Sequence, residues 1–253
     1  KALAVNLSDL AAMGALPAWC TLSLSLPDAD ATFVDGFLDG FLALAAQHDV
    51  ALVGGDTTRG PLSVCVTVHG LVEPGMAMCR DGARVGDDIW VSGSLGDAAA
   101  ALAQWKSNGD VDAALRARLD RPTPRVALGR ALRGIASACI DVSDGLLADL
   151  GHVCRASGVG ALVDVDALPA SDALRATFDS EPRRQLQATG GDDYELCFSA
   201  PVEAQAAVLA GARQAGVAVT RIGRLDARGG VATLTSAGAD WRAPTPGWQH
   251  FAA

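Results

Sequence analysis

Basic charge is in short supply in this chain: 20 Lys and Arg stand against 29 Asp and Glu, for a net charge of −9. That balance argues against a protein that grips nucleic acid through a broad basic face. Long apolar runs are missing too. None reaches the roughly 18 residues needed to cross a bilayer, and no leader of charged, apolar and small residues opens the sequence, so neither membrane nor export is expected and the cytoplasm is the default compartment. Aromatic residues are few, at 5%. The six cysteines (Cys20, Cys65, Cys79, Cys139, Cys154 and Cys197) form no C-x-x-C pair and sit mostly between apolar neighbours, as buried thiols in a reducing compartment do. There is no phosphate-binding G-x-x-x-x-G-K-S/T loop, no H-E-x-x-H or H-x-x-E-H pair and no H-R-D kinase signature. His48, His69, His152 and His250 are scattered, which leaves a Ser/His/Asp hydrolase or a His-ligated zinc enzyme little support.

What is present is ample apolar material. Half of the 253 residues are hydrophobic, enough for a sizeable core and one or two domains. Lys1-Ala2-Leu3-Ala4-Val5 already reads as helix interior, so the natural N-terminus is expected to lie upstream. Periodicity predicts a helix over 2–16, a strand at 22–26, and a helix over 30–48 whose Phe33, Phe37, Leu38, Phe41, Leu42 and Ala45 bury one face. Strands are expected at 50–53 and 63–72, flanking a Gly54-Gly55-Asp56-Thr57-Thr58 loop. Glycine, charge and turn residues between 74 and 88 mark a boundary, dividing the chain into 1–76 and 77–253. Beyond it come a strand at 89–91, helices at 97–105, 125–136, 143–157 and 203–215, and strands near 160–165, 194–199, 217–223 and 230–234. The fold class is α+β, with two mixed domains whose sheets are covered by helices.

One pattern repeats. Aspartate stands beside small hydroxyl or glycine residues at Ser8-Asp9, Gly54-Gly55-Asp56-Thr57-Thr58, Asp141-Val142-Ser143-Asp144-Gly145 and Gly190-Gly191-Asp192-Asp193. Glycine lets backbone N–H groups approach phosphate, and carboxylates collect hard divalent cations, so together these suggest a metal and phosphate site. Each cluster alone has a plainer explanation: Gly-Gly-Asp as a turn, Ser143 and Asp144 as a helix cap.

In order and spacing, these clusters resemble the thiamine-monophosphate kinase family, within the aminoimidazole ribonucleotide synthetase-like superfamily, along the whole chain. The resemblance implies a magnesium ligand at Asp9, in Asn6-Leu7-Ser8-Asp9-Leu10, and another at Asp56, with Gly55 and Asp56 at the nucleotide. It implies an ATP-contacting Arg80, and a metal, ATP and metal set at Asp141, Ser143 and Asp144. Gly190-Gly191-Asp192-Asp193-Tyr194-Glu195-Leu196 resembles the family's G-G-E-D-Y-E-L, whose first acidic residue binds the thiamine end; here that residue is Asp192. Trp248, in Gly247-Trp248-Gln249-His250-Phe251, would stack on the cationic thiazolium for roughly 0.5–2 kcal/mol, although a tail tryptophan can equally pin the C-terminus. The family also carries an N-terminal segment whose acidic pair and T-D-T stretch complete its metal site and whose strands help build the first domain's sheet and the dimer interface, and that segment does not occur within these 253 residues.

The activity so implied is direct transfer of the ATP γ-phosphoryl to thiamine monophosphate, on more than one Mg²⁺, in a homodimer. Two alternatives stand beside it: a synthetase of the same superfamily, and a nucleotide or thiamine-phosphate binder without turnover.

Overall fold

The structure, a computed structural model, describes residues 1–107, 109–244 and 247. Helix α1 (Ala2–Ala12) buries Leu3, Leu7 and Leu10 and stops where Gly14 takes a left-handed φ of 68°. There the N–H groups of Gly14 and Ala15 turn back to the carbonyls of Ala11 and Leu10, each at 2.9 Å, which closes the helix end. Strand β1 (Leu16–Leu26) then runs through the centre of a three-stranded sheet in the order β2-β1-β3, parallel to β2 (Ala51–Arg59) and antiparallel to β3 (Ser63–Leu71). Helix α2 (Ala31–Gln47) is started by the Asp30 carboxylate, which accepts from the N–H groups of Thr32 and Phe33.

Two expectations fail in this half. Gly54 to Thr58 is strand, not loop, because parallel pairing with β1 supplies its backbone partners. Gly55 sits opposite Leu22 at φ 151°, where a Cβ would come within 1.8 Å of the Leu22 carbonyl oxygen. The strand expected at 50–53 is the start of β2; its continuation through Arg59 went unread, since the strand is exposed along its whole length and no face is selected by burial. On α2, only Phe41 and Ala45 of the aromatic and aliphatic stripe are buried. Phe37 and Leu38 pack half-buried against the same core, whereas Phe33 and Leu42 remain 40% and 47% exposed.

The rest of the chain builds a six-stranded sheet in the order β5-β7-β4-β8-β6-β9, from β4 (Asp88–Ser92), β5 (Ala138–Asp141), β6 (Gly160–Asp164), β7 (Leu196–Ala200), β8 (Val219–Asp226) and β9 (Gly230–Leu234). Strands β4, β5 and β7 are buried throughout, which is why they read as short apolar runs. Helices α3 (Asp97–Ser107), α4 (Ala113–Asp120), α5 (Val126–Ala131), α6 (Leu146–Ser157), α7 (Asp172–Thr177), α8 (Ser180–Thr189) and α9 (Gln205–Ala215) surround it. One apolar core takes in Leu7 of α1, Leu22 of β1, Leu128 of α5, Phe198 of β7 and Val208 of α9, so packing runs continuously from one sheet to the other. A second core lies under α6, and a small third one joins α3, α4 and α7. Among the described residues, no helix is long and apolar enough to cross a membrane.

Candidate active site

Two of the aspartate clusters are a single piece of structure. The segment 141–145 leaves β5 and enters α6, and the segment 190–195 leaves α8 and enters β7, which pairs antiparallel with β5. Backbone bonds continue that pairing beyond the strands: Val142 N–H donates to Glu195 O, Tyr194 N–H to Val142 O, both at 2.8 Å, and Asp192 N–H to Ser143 O at 2.9 Å. Gly191 fits because a Cβ there would lie 2.6 Å from the Ser143 carbonyl oxygen. The first segment is held from within by Asp149, whose Oδ2 accepts the N–H groups of Ser143, Asp144 and Gly145 at 2.9, 3.1 and 3.2 Å. Burial still pushes the Asp149 carboxyl up to about 6, with those N–H groups opposing the shift and Asp144 adding to it.

The second segment alternates. Asp192 and Tyr194 both take a left-handed backbone, φ 70° and 51°, unusual for residues with side chains and persistent only where the surroundings impose it. This sends Asp192 and Tyr194 outward, Asp193 and Glu195 inward. Tyr194 Oη donates to Asp192 Oδ1 at 2.9 Å and Lys1 Nζ to Oδ2 at 2.8 Å; burial and the neighbouring carboxylates keep the phenol protonated. Inside, Asp193 accepts the Gly96 N–H at the start of α3 on both oxygens, at 2.9 and 3.0 Å. Fully buried Glu195 accepts from Arg125 Nε and Nη2 at 2.6 and 2.5 Å, from Arg118 Nη2 at 2.7 Å, and from Ser92 Oγ at 2.5 Å. The outward pair faces a cavity of about 450 Å³ lined by Asp192, Tyr194, Asp144, Ala98, Leu102 and Leu119.

Helix α1 brings a third cluster to the same place. Asp141 is 5% exposed, and burial lifts its carboxyl to about 6, eased by the Ser8 hydroxyl and increased by the charges of Asp9 and Asp149. Asp9 is itself raised by burial and held down by the nearby Arg80 guanidinium. Asp144 lies within electrostatic reach of Asp149, Tyr194 and His152, and His152 in turn of Arg80. A second concavity, of about 490 Å³, is lined by Asp9, Met78, Cys79, Arg80, Asp81 and Cys139. The Arg80 carbonyl is anchored by Ser157 Oγ at 2.9 Å.

Asp9, Arg80, Asp141, Ser143, Asp144 and Asp192 thus share one region. Gly55 and Asp56 lie on exposed β2, Asp56 opposite Ser23, and among the described residues Asp56 makes no hydrogen bond or ion pair with that group. Trp248 falls outside the described residues. Gly247 before it lies close to α6, where a side chain would come within 3.0 Å of the Asp144 carbonyl oxygen and the Ala148 methyl. Among the described residues no three His, Cys, Asp or Glu side chains are disposed to hold a metal ion by themselves. The donor chemistry nonetheless suits a hard cation: burial raises Asp9 and lifts Asp141 to about 6, with the charge of Asp9 adding to the rise at Asp141, and a divalent ion near them would relieve both. Sequence reasoning missed Asp149, Arg118, Arg125 and the inward role of Glu195. Only Asp149 left a usable trace, as an acidic residue in the first turn of a helix.

Residues 1–72 match the family model for the AIR synthase related protein N-terminal domain, and residues 84–234 that for its C-terminal domain. The thiamine-monophosphate kinase of Salmonella typhimurium is 47% identical over 266 residues, an alignment covering 100% of this chain and 79% of the relative. The chain belongs to the thiamine-monophosphate kinase family. Among solved structures, thiamine-monophosphate kinase from Stenotrophomonas maltophilia K279a is similar at TM-score 0.89 and 53% identity, covering 94% of this chain and 78% of that one. AaThiL complexed with AMPPCP and TMP gives TM-score 0.85 and 32% identity, covering 99% and 79%.

Proposed function

We propose that this protein transfers the γ-phosphoryl of ATP directly to thiamine monophosphate, releasing ADP and thiamine diphosphate. The observation that carries this reading is the fusion of two motif loops: backbone bonds tie the acidic 141–145 segment to the 190–195 segment, beside a cavity of small-molecule size. A nucleotide's phosphates and an acceptor's phosphate can then meet along one line. A phosphate monoester has a second pKa of about 6 and is largely ionised at neutral pH, so the attacking oxygen needs no general base.

Asp9, Asp141 and Asp144 are the residues that would hold Mg²⁺, with Asp56 as a further ligand. A divalent cation held by these residues would supply charge neutralisation at the phosphates. Arg80 supplies a fixed positive charge to the transferring group, and Ser143 and Gly55 approach the nucleotide. Asp192, oriented by Tyr194, takes the cationic thiamine end, and Trp248 stacks on the thiazolium. The division at 76/77, a cytoplasmic location and a homodimer complete the reading. Pairing of two copies is supported by exposed apolar residues on the three-stranded sheet, among them Trp19, Leu52 and Val53.

The test is ADP release at neutral pH with Mg²⁺. Thiamine monophosphate should drive it and unphosphorylated thiamine should not. Asp144→Asn should lower kcat/KM by about 10²-fold or more, the scale of losing one preorganised electrostatic group. A phosphorylated side chain trapped in single turnover would contradict direct transfer. Stabilisation by ATP and Mg²⁺ with no turnover would leave a binder.

A further inference from the structure

The cavity beside Asp192 is lined by the 190–195 segment, Ser143 and Asp144 of the 141–145 segment, helix α3 through Ala98 and Leu102, and helix α4 through Leu119. Helix α4 follows α3 in the chain and is held to it by the apolar packing of Leu115 and by the Asp112 N–H bond to Gln104 Oε1, but its tie to the 190–195 segment is made by charge. Arg118, one residue before Leu119, reaches carboxylates from both. Its Nη2 donates to Glu195 Oε1 at 2.7 Å, and its Nε lies 3.9 Å from Asp97 Oδ2 on α3. Both carboxylates are buried, Glu195 at 0% and Asp97 at 2% exposure. Arg125 makes a two-pronged contact with Glu195 but belongs to the start of α5 and does not line the cavity.

We propose that Arg118 is a positioning residue for the acceptor, a clamp that joins α4, α3 and the 190–195 segment into one rigid wall and so sets the width of the cavity that receives thiamine monophosphate. This rests on the function proposed above. The rigid planar fork of arginine is what allows one side chain to serve two carboxylates from different elements. A misplacement on the scale of 1 Å at a substrate wall costs up to about a hundredfold in rate, so a clamp behind the wall is functional even though it touches no substrate.

The geometry also makes the idea testable without unfolding the protein. If Arg118 is removed, Glu195 keeps Arg125 and Ser92, and Asp97 keeps hydrogen bonds from Ser94 Oγ at 2.7 Å and Ser171 Oγ at 2.6 Å. No carboxylate is left bare. Arg118→Gln is therefore expected to stay folded, to raise KM for thiamine monophosphate about tenfold or more, and to leave KM for ATP within about twofold. Arg118→Lys, with the charge but not the fork, should recover less than half of that loss. Equal rises in both KM values, or full recovery by lysine, would overturn the clamp.

Hydrogen exchange gives a second readout that needs no turnover. In Arg118→Gln the amides of Asp192 and Tyr194, bonded to 143 and 142, and those of α4 should exchange faster, while β1 and β3 keep wild-type rates. Unchanged exchange in 190–195 would refute the proposal. Should the wild-type protein show no turnover driven by thiamine monophosphate, the functional reading falls, and the exchange result still decides whether Arg118 holds the wall.

Discussion

The tripeptide Gly-Gly-Asp occurs twice, at 54–56 and 190–192, and the two copies are built in opposite ways. The first lies in an exposed strand. Only its second glycine is constrained, by β1: a Cβ on Gly54 would meet nothing within 4 Å, whereas one on Gly55 would strike the Leu22 carbonyl. In the second copy both glycines are hemmed in, Gly190 by the Leu186 carbonyl and Ala99, Gly191 by the Ser143 carbonyl, and the aspartate takes a left-handed turn. Identical residues therefore say little about local structure. What differs is the partner: a strand alongside in one case, a second acidic loop and a buried ion-pair cluster in the other.

The sharpest way to break that contrast is beneath the second copy. Glu195→Ala leaves the charges of Arg118 and Arg125 facing each other without their carboxylate and should cost about 3–5 kcal/mol, read by urea denaturation. A loss below 1 kcal/mol would mean that the cluster does not hold the loop. Next come the glycines. Gly55→Ala and Gly191→Ala should each cost on the order of 1–3 kcal/mol through backbone strain and displacement, but Gly54→Ala should stay within about 0.5 kcal/mol. Tyr194→Phe removes the hydroxyl that orients Asp192. It should cost about 0.5–1.5 kcal/mol, expressed as weaker binding of thiamine monophosphate with ATP affinity unchanged.

The smallest effect concerns pH. Burial raises the Asp193 carboxyl well above its usual 3.8, with Glu195 and Asp97 adding to the rise and the Gly96 N–H and Arg118 opposing it. The folded protein consequently holds this proton more tightly than the unfolded chain. Its contribution to stability is largest below 3.8 and is lost as pH climbs from there toward the raised value. Asp193→Asn cannot ionise, so its stability relative to wild type should improve between pH 4 and pH 8, measured by thermal denaturation in matched buffers. A gap that does not change with pH would exclude Asp193 as a strained acid.

Sequence reading found elements wherever burial stamped a period. The alternation of Leu22, Leu24 and Leu26 marked β1, and its start at Leu16 was missed because Pro17 suggested a break, although this residue pairs with Gly70. Helices α4, α7 and α8 escaped. Each is 10 residues or shorter and buries little: Leu115 in α4, Leu174 in α7, Gln187 and Ala188 in α8. Asp112 and Ser171 cap the first two through side chains that also resemble ordinary loop residues. Strand β5 spans only four residues, too few for any pattern to emerge. At the site, acidic residues next to glycines were visible in the sequence. Arg118 and Arg125 were not, since their partner Glu195 lies 77 and 70 residues away and no local spacing encodes so distant a contact.

The seam between 142–143 and 192–194 is made of peptide groups alone, and this separates scaffolding from chemistry. Side chains at 192 and 194 project from that seam toward the cavity. Exchanging either side chain therefore changes what faces the cavity while the peptide seam behind it keeps its bonds.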